Sequence, residues 1–177
     1  MLGDIIQIKQ EYYTTAAHIA AHVEQHDFAR REKMVIAVAG ESGSGKSVTA
    51  VCLQELLNQS GQPALILHLD DYFVLPPATN HAQRVENIDQ VGPSEVRLSL
   101  LQLHIDGFLA GVETLTKPIV NYKLNQILAE TIITKPYSIL IVEGAYSLML
   151  NHIQFGIFMD RTYIETKPQR DARGRDV

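Results

Sequence analysis

Four short, nearly unbroken apolar runs punctuate the chain: MVIAVAG (34–40), ALILHL (64–69), YSILIVEG (137–144) and FGIFMD (155–160). Runs of this length, β-branched and bounded by Gly or Pro, predict strands buried on both faces of a parallel sheet. Between them the period changes. Ile5, Ile8, Tyr12, Ala16, Ile19, Ala20 and Val23 recur at steps of three and four, which predicts a helix over 4–28. Val48, Val51, Cys52 and Leu56 mark a second helix over 47–58, closed by Gly61-Gln62-Pro63. Leu101, Ile105, Phe108 and Leu109 mark a third, starting near Pro93-Ser94-Glu95 and ended by Gly111. LPPATNHAQ (75–83) has two prolines and no stripe, so it reads as loop; 118–134 reads as a hairpin flap of two short strands. Alternation of strand and helix predicts an α/β fold, a mostly parallel central sheet covered on both faces, with an extra N-terminal helix.

Composition narrows the setting. The 177 residues suffice for one domain with a sizeable core, and 46% hydrophobic with 20% charged residues is a globular balance. A net charge of −5 lacks the basic face that nucleic-acid binding needs. No apolar run approaches the roughly 18–20 residues that span a bilayer. The single Cys52 and the absence of a signal-peptide pattern fit a reducing, cytoplasmic setting.

Candidate chemistry begins where the first apolar run ends, at GESGSGKS (40–47). This matches G-x-x-x-x-G-K-S/T between a predicted strand and a predicted helix, the context that makes the pattern a phosphate site. Gly40, Ser42, Gly43, Ser44, Gly45 and Val48 then contribute loop and helix-start backbone, with Gly43 and Gly45 free to take positive φ and turn amides inward. The helix start adds its positive end. Lys46 supplies a mobile cation for the β/γ-phosphates, and the Ser47 hydroxyl is placed to ligate Mg²⁺. The fold expected is therefore the three-layer P-loop NTPase arrangement. Acids at the ends of the other strands refine the chemistry, since substrates sit beyond the carboxyl edge of a parallel sheet. HLDDYF places Asp70 and Asp71 at that edge and VEG places Glu143 there. One carboxylate suits proton removal from a hydroxyl and the other Mg²⁺. A helix cap or turn is the plainer reading of the Asp70-Asp71 pair.

These segments resemble the uridine kinase / phosphoribulokinase family of P-loop kinases, over about Met34 to Asp176. GESGSGKS is similar to the family's opening. LDDYF is similar to its Asp-x-Phe/Tyr segment, which implies Asp70 as catalytic base and Tyr72 near the substrate. VEGAY is similar to its Glu-Gly segment, which implies Glu143 as the Mg²⁺-linked acid. NID (87–89) resembles the ribose-holding Asn-Phe-Asp and implies Asp89, with Tyr122 from the flap, as acceptor contacts. RDARGRD (170–176) resembles the Arg-Gly-Arg-Asp lid over ATP, within a lid at about 165–176, and implies Arg173 and Arg175 as phosphate clamps. Together these imply residues 1–33 as N-terminal helix and linker and 34–177 as a kinase domain using ATP and Mg²⁺. The acceptor implied is a small hydroxylated metabolite, nucleoside or related; pantothenate and nicotinamide riboside are acceptors of other members.

The chain also departs from the pattern. Val120, Asn125 and Ile127 stand where uridine kinases carry a Tyr, a His and an Arg against the base, and Pro168 interrupts the lid. Family members continue beyond the lid with a strand and a closing helix, so the C-terminal part of their fold is expected to be absent here. An open sheet edge makes a homo-oligomer an expected option. A nucleotide-binding regulator without transfer is the second reading.

Two weaker signals add little. His18, His22 and His26 align on one helix face, and without a companion acid in register they read as a solvated polar face. Asp89-Gln90-Val91-Gly92 spells the D-x-x-G of a GTPase switch, but polar RVENI precedes it and no Asn-Lys-x-Asp motif follows.

Overall fold

The computed structural model describes residues 2, 8–25, 32–162 and 164–167. Its elements run α1 (Gln10–Gln25), β1 (Met34–Gly40), α2 (Lys46–Gln59), β2 (Ala64–His68), α3 (Pro77–Glu86), α4 (Leu98–Leu109), β3 (Thr114–Asn121), β4 (Gln126–Ile133), β5 (Ile139–Glu143) and β6 (Phe155–Met159). The main sheet has the order β2-β5-β1-β6, and every pairing in it is parallel. All seven residues of β1 and all five of β5 are buried, as their unbroken apolar runs require when helices cover both faces.

One face carries α1 and α2. Tyr12, Ala16, Ile19 and Val23 of α1 pack with Val48, Cys52, Leu53 and Leu57 of α2 over Ile36, Val38 and Ile141. The other face carries α4, whose Leu101, Ile105 and Phe108 pack on Val35, Leu140 and Val142. Among the described residues no helix is long and apolar enough to cross a membrane. Ile5, His26 and the Arg30-Arg31 linker lie outside the described residues.

The stretch 75–83 is not a loop. Residues 77–86 form α3, with Pro77 at its first turn and Asn80 its single buried residue. A helix that buries almost nothing shows no apolar stripe, and proline at a helix start is compatible with helix. Pro93–Glu95 is a separate 3₁₀ turn, and α4 begins later, at Leu98.

The hairpin β3–β4 is pinned to the sheet by a buried ion pair. Asp71 is fully buried; it accepts 3.0 Å hydrogen bonds from Lys117 Nζ and from the Val120 amide. Lys117 also lies 3.2 Å from Glu130. Asp71→Ala strands the Val120 amide and leaves the buried Lys117 ammonium to Glu130 and the Pro118 carbonyl, so it should lower the free energy of unfolding by about 1–3 kcal/mol. Urea denaturation should show the fall in midpoint with the slope unchanged, and Asp71→Asn, which keeps an oxygen for Val120, should lose less.

Candidate active site

The phosphate loop follows from its two flanks. β1 ends at Gly40, α2 starts at Lys46, and Gly45 is the helix cap at φ +95°. Gly43 is at φ +79°. α1 lies against the loop: a Cβ on Gly45 would sit 2.5 Å from a Tyr12 ring carbon. Gly45→Ala therefore meets both positive-φ strain and a ring, at a cost of about 1–3 kcal/mol. Tyr12 is itself a core residue, so the steric part shows only as coupling: Gly45→Ala should cost less in a Tyr12→Ala background than in the native chain, by chemical denaturation of all four members of the cycle.

Ser44 is buried inside the loop with a hydroxyl that has no hydrogen-bond partner among the described residues. Ser42 is exposed at its tip; its carbonyl accepts from Thr166 Oγ1 at 2.8 Å. The segment 164–167 thus docks on the loop, while Arg161 reaches Glu11 of α1 at 3.6 Å. Arg173 and Arg175 lie outside the described residues. Lys46 Nζ donates to the Glu41 carbonyl at 2.8 Å, folding the ammonium over the loop. Val48 is buried in the first turn of α2.

Beside the loop stands Glu143, at the end of β5 and 2% exposed. Burial pushes its carboxyl upward, but the His68 hydrogen bond, the charges of His68 and Lys46, and the Ser47 hydroxyl outweigh it and hold it below the usual range. Glu143 is therefore an ionised, acceptor-only group at neutral pH. His68 Nδ1 is 2.7 Å from Glu143 Oε1, and the two residues are register partners on β2 and β5. Sequence reading did not single out His68; its position one residue before LDDYF, opposite the acid of the adjacent strand, was the available signal. The chain turns sharply after the acid: a Cβ on Gly144 would lie 2.3 Å from Leu69 Cβ.

The 3₁₀ turn Leu69–Tyr72 then divides the acids. Asp70 is partly exposed, whereas Asp71 on its other side is the buried anchor of the hairpin. Tyr72, expected near the substrate, is fully buried instead, its hydroxyl 2.8 Å from His104 Nδ1. Desolvation holds that phenol strongly in its protonated form. Asp89 is exposed in a 3₁₀ turn, where its own amide donates to the Asn87 side-chain oxygen at 3.0 Å. Tyr122 is partly exposed at the hairpin tip, where its amide donates to the Leu2 carbonyl at 3.2 Å. The model brings Lys46, Ser47, His68 and Glu143 together.

A second cluster lies beyond Asp70. Arg84 on α3 forms a forked ion pair with Glu95, one arm at 3.1 Å, and Asn80 donates to the same carboxylate at 3.2 Å. Glu95 also accepts from the Gly92 amide at 3.0 Å. Burial pulls the Arg84 guanidinium down, but the Glu95 hydrogen bond and charge, then Tyr146 and Asp70, carry it above its ordinary value. Asp70 and Tyr146 are thus within electrostatic reach of Arg84.

The family model described as phosphoribulokinase / uridine kinase family matches residues 35–176. A uridine kinase of Bacillus pumilus is 32% identical over 123 residues, covering 67% of this chain and 55% of that protein. The chain thus spans little more than half the length of that relative. A bifunctional alpha-galactosidase/sucrose kinase of Mediterraneibacter gnavus is 24% identical over 156 residues, covering 81% of this chain and 17% of that one. A solved structure described as a possible uridine kinase of Bacillus stearothermophilus superposes with a TM-score of 0.68 at 16% identity, covering 93% of this chain and 92% of that one. Such a likeness carries the P-loop kinase fold.

Proposed function

The chain belongs to the phosphoribulokinase / uridine kinase family, and from that premise we propose an ATP-dependent kinase for a small hydroxylated metabolite. The observation that carries this reading is the buried, ionised Glu143 beside Ser47, Lys46 and the phosphate loop. A nucleotide-binding regulator needs the loop, but has no use for a partly exposed carboxylate at Asp70, in the turn that follows His68.

In this reading the amides of Gly43–Ser47 and the positive start of α2 hold the triphosphate. Lys46 leaves the Glu41 carbonyl for the β/γ-phosphates. Asp70 orients the acceptor hydroxyl and takes its proton as the bond to phosphorus forms. Glu143 and Ser47 offer the oxygen donors that suit Mg²⁺, which would neutralise charge on the phosphates. His68 keeps Glu143 ionised and aimed. Arg173 and Arg175 are proposed to close over the nucleotide, and Asp89 and Tyr122 to border the acceptor. Positioning and electrostatics do most of such work. We place the protein in the cytoplasm, and a second copy along the β6 edge is compatible with this reading.

The uridine kinases among the relatives make a nucleoside the first acceptor to test, and the bifunctional sucrose kinase makes a sugar the second. ADP release by the intact chain, measured with and without each acceptor, tests the reading. Acceptor-dependent ADP release supports it. ATP binding with no acceptor-dependent release favours the regulator.

A further inference from the structure

Between α3 and the turns at 88–95 lies a cavity of about 270 Å³. At about 30 Å³ per water it has room for on the order of nine waters, and it is smaller than the roughly 300–1,000 Å³ clefts that take drug-sized ligands. Val74 and Leu75, which follow the turn that carries Asp70, form one wall. Val74 is held there by its amide N–H, which donates a hydrogen bond to the Glu95 carbonyl at 2.8 Å, and Phe73 bridges to Val96. The remaining lining is Asn80, Gln83, Arg84, Gln90, Ser94 and Glu95.

The charges in this lining cancel. Arg84 is the only cation among the lining residues, and both arms of its fork are committed to Glu95, whose side chain is 7% exposed. A carboxylate or phosphate on the acceptor would meet Glu95 without a spare cation to receive it. No aromatic ring lines the cavity, and the face of neighbouring Phe73 is covered by the Arg84 guanidinium, 5.3 Å from the ring centre. A nucleobase would therefore find no ring to stack on. What remains is three primary amides and a hydroxyl. Gln83 gives its amide nitrogen to Gln90, which leaves the Gln83 carbonyl and the Gln90 nitrogen as an acceptor and a donor side by side. Closely spaced donors and acceptors match the alternating roles of vicinal hydroxyls.

We propose that this cavity is the acceptor site and takes a neutral polyhydroxylated molecule, a sugar or sugar alcohol, held by Asn80, Gln83, Gln90 and Ser94 around the Arg84–Glu95 pair. The inference rests on the kinase reading above and gives that same site its substrate class. Val74 and Leu75 tie this wall to the turn that carries Asp70, the carboxylate to which one hydroxyl of the bound polyol would be presented.

The test is ADP release by the full chain with three sets of acceptors. Neutral polyols are D-glucose, D-fructose, D-ribose, sucrose and glycerol; nucleosides are uridine and cytidine; anions are D-glycerate and pantothenate. The expected result is a neutral polyol with the highest kcat/KM. Gln90→Leu, at an exposed position that should not disturb folding, is expected to raise the KM for that polyol about tenfold and leave the KM for ATP unchanged. Preference for a nucleoside or an anion overturns the proposed class while the kinase reading stands. A preferred polyol whose KM ignores Gln90→Leu overturns the cavity as its site. Turnover with no acceptor, while ATP binds, overturns the kinase reading and this inference with it.

Discussion

Asp70→Asn is expected to bind ATP as the native chain does and to transfer phosphate about 10²–10⁴-fold more slowly, the span that a positioned general base supplies. The substitution keeps size and hydrogen bonding but removes the proton acceptor. Its neighbour offers an internal control. Asp71 is buried between Lys117 and the Val120 amide, so Asp71→Asn should lower stability while kcat of the folded fraction changes little. Two adjacent aspartates thus divide into a chemical and a structural role, and the two assays, single-turnover transfer and urea unfolding, should separate them in opposite directions. Equal transfer rates for Asp70→Asn and the native chain would remove the base from the account.

Lys46→Ala is expected to lower kcat by about 10²–10³-fold, the loss that follows removal of one preorganised electrostatic donor. Nucleotide affinity should fall as well, because the ammonium meets charge present in bound ATP before any transfer. Lys46 spans the loop to the Glu41 carbonyl. Its charge also helps to hold Glu143 ionised. Loss of Lys46 should therefore weaken the site twice, at the phosphates and at the neighbouring carboxylate.

β1 and β5 were legible because burial on both faces leaves continuous apolar runs, and β2 and β6 also fall where such runs lie; but β6, expected buried on both faces, is an edge strand whose Gly156 and Phe158 are exposed. The phosphate loop was legible because its motif joins a buried strand to a helix. Helix α3 was not, since it buries little beyond Asn80 and so carries no stripe. The burial of Tyr72 against His104 was not legible for a related reason. In the 3₁₀ turn 69–72 neighbouring side chains point in different directions, and LDDYF does not say which of them face the site. His68 and Glu143 are 75 residues apart and meet only through the register of β2 on β5. The Arg84–Glu95 fork likewise depends on how the chain turns back at Gly92, where the amide donates to Glu95. Pairings of this kind are properties of the folded sheet and turns, and local pattern does not carry them.

The most direct test is to follow ATP and the preferred acceptor by ³¹P NMR with the intact chain. The account predicts one phosphomonoester formed for each ADP, with that signal lost in Asp70→Asn. ADP accompanied by inorganic phosphate alone, at the same rate with and without acceptor, would contradict it.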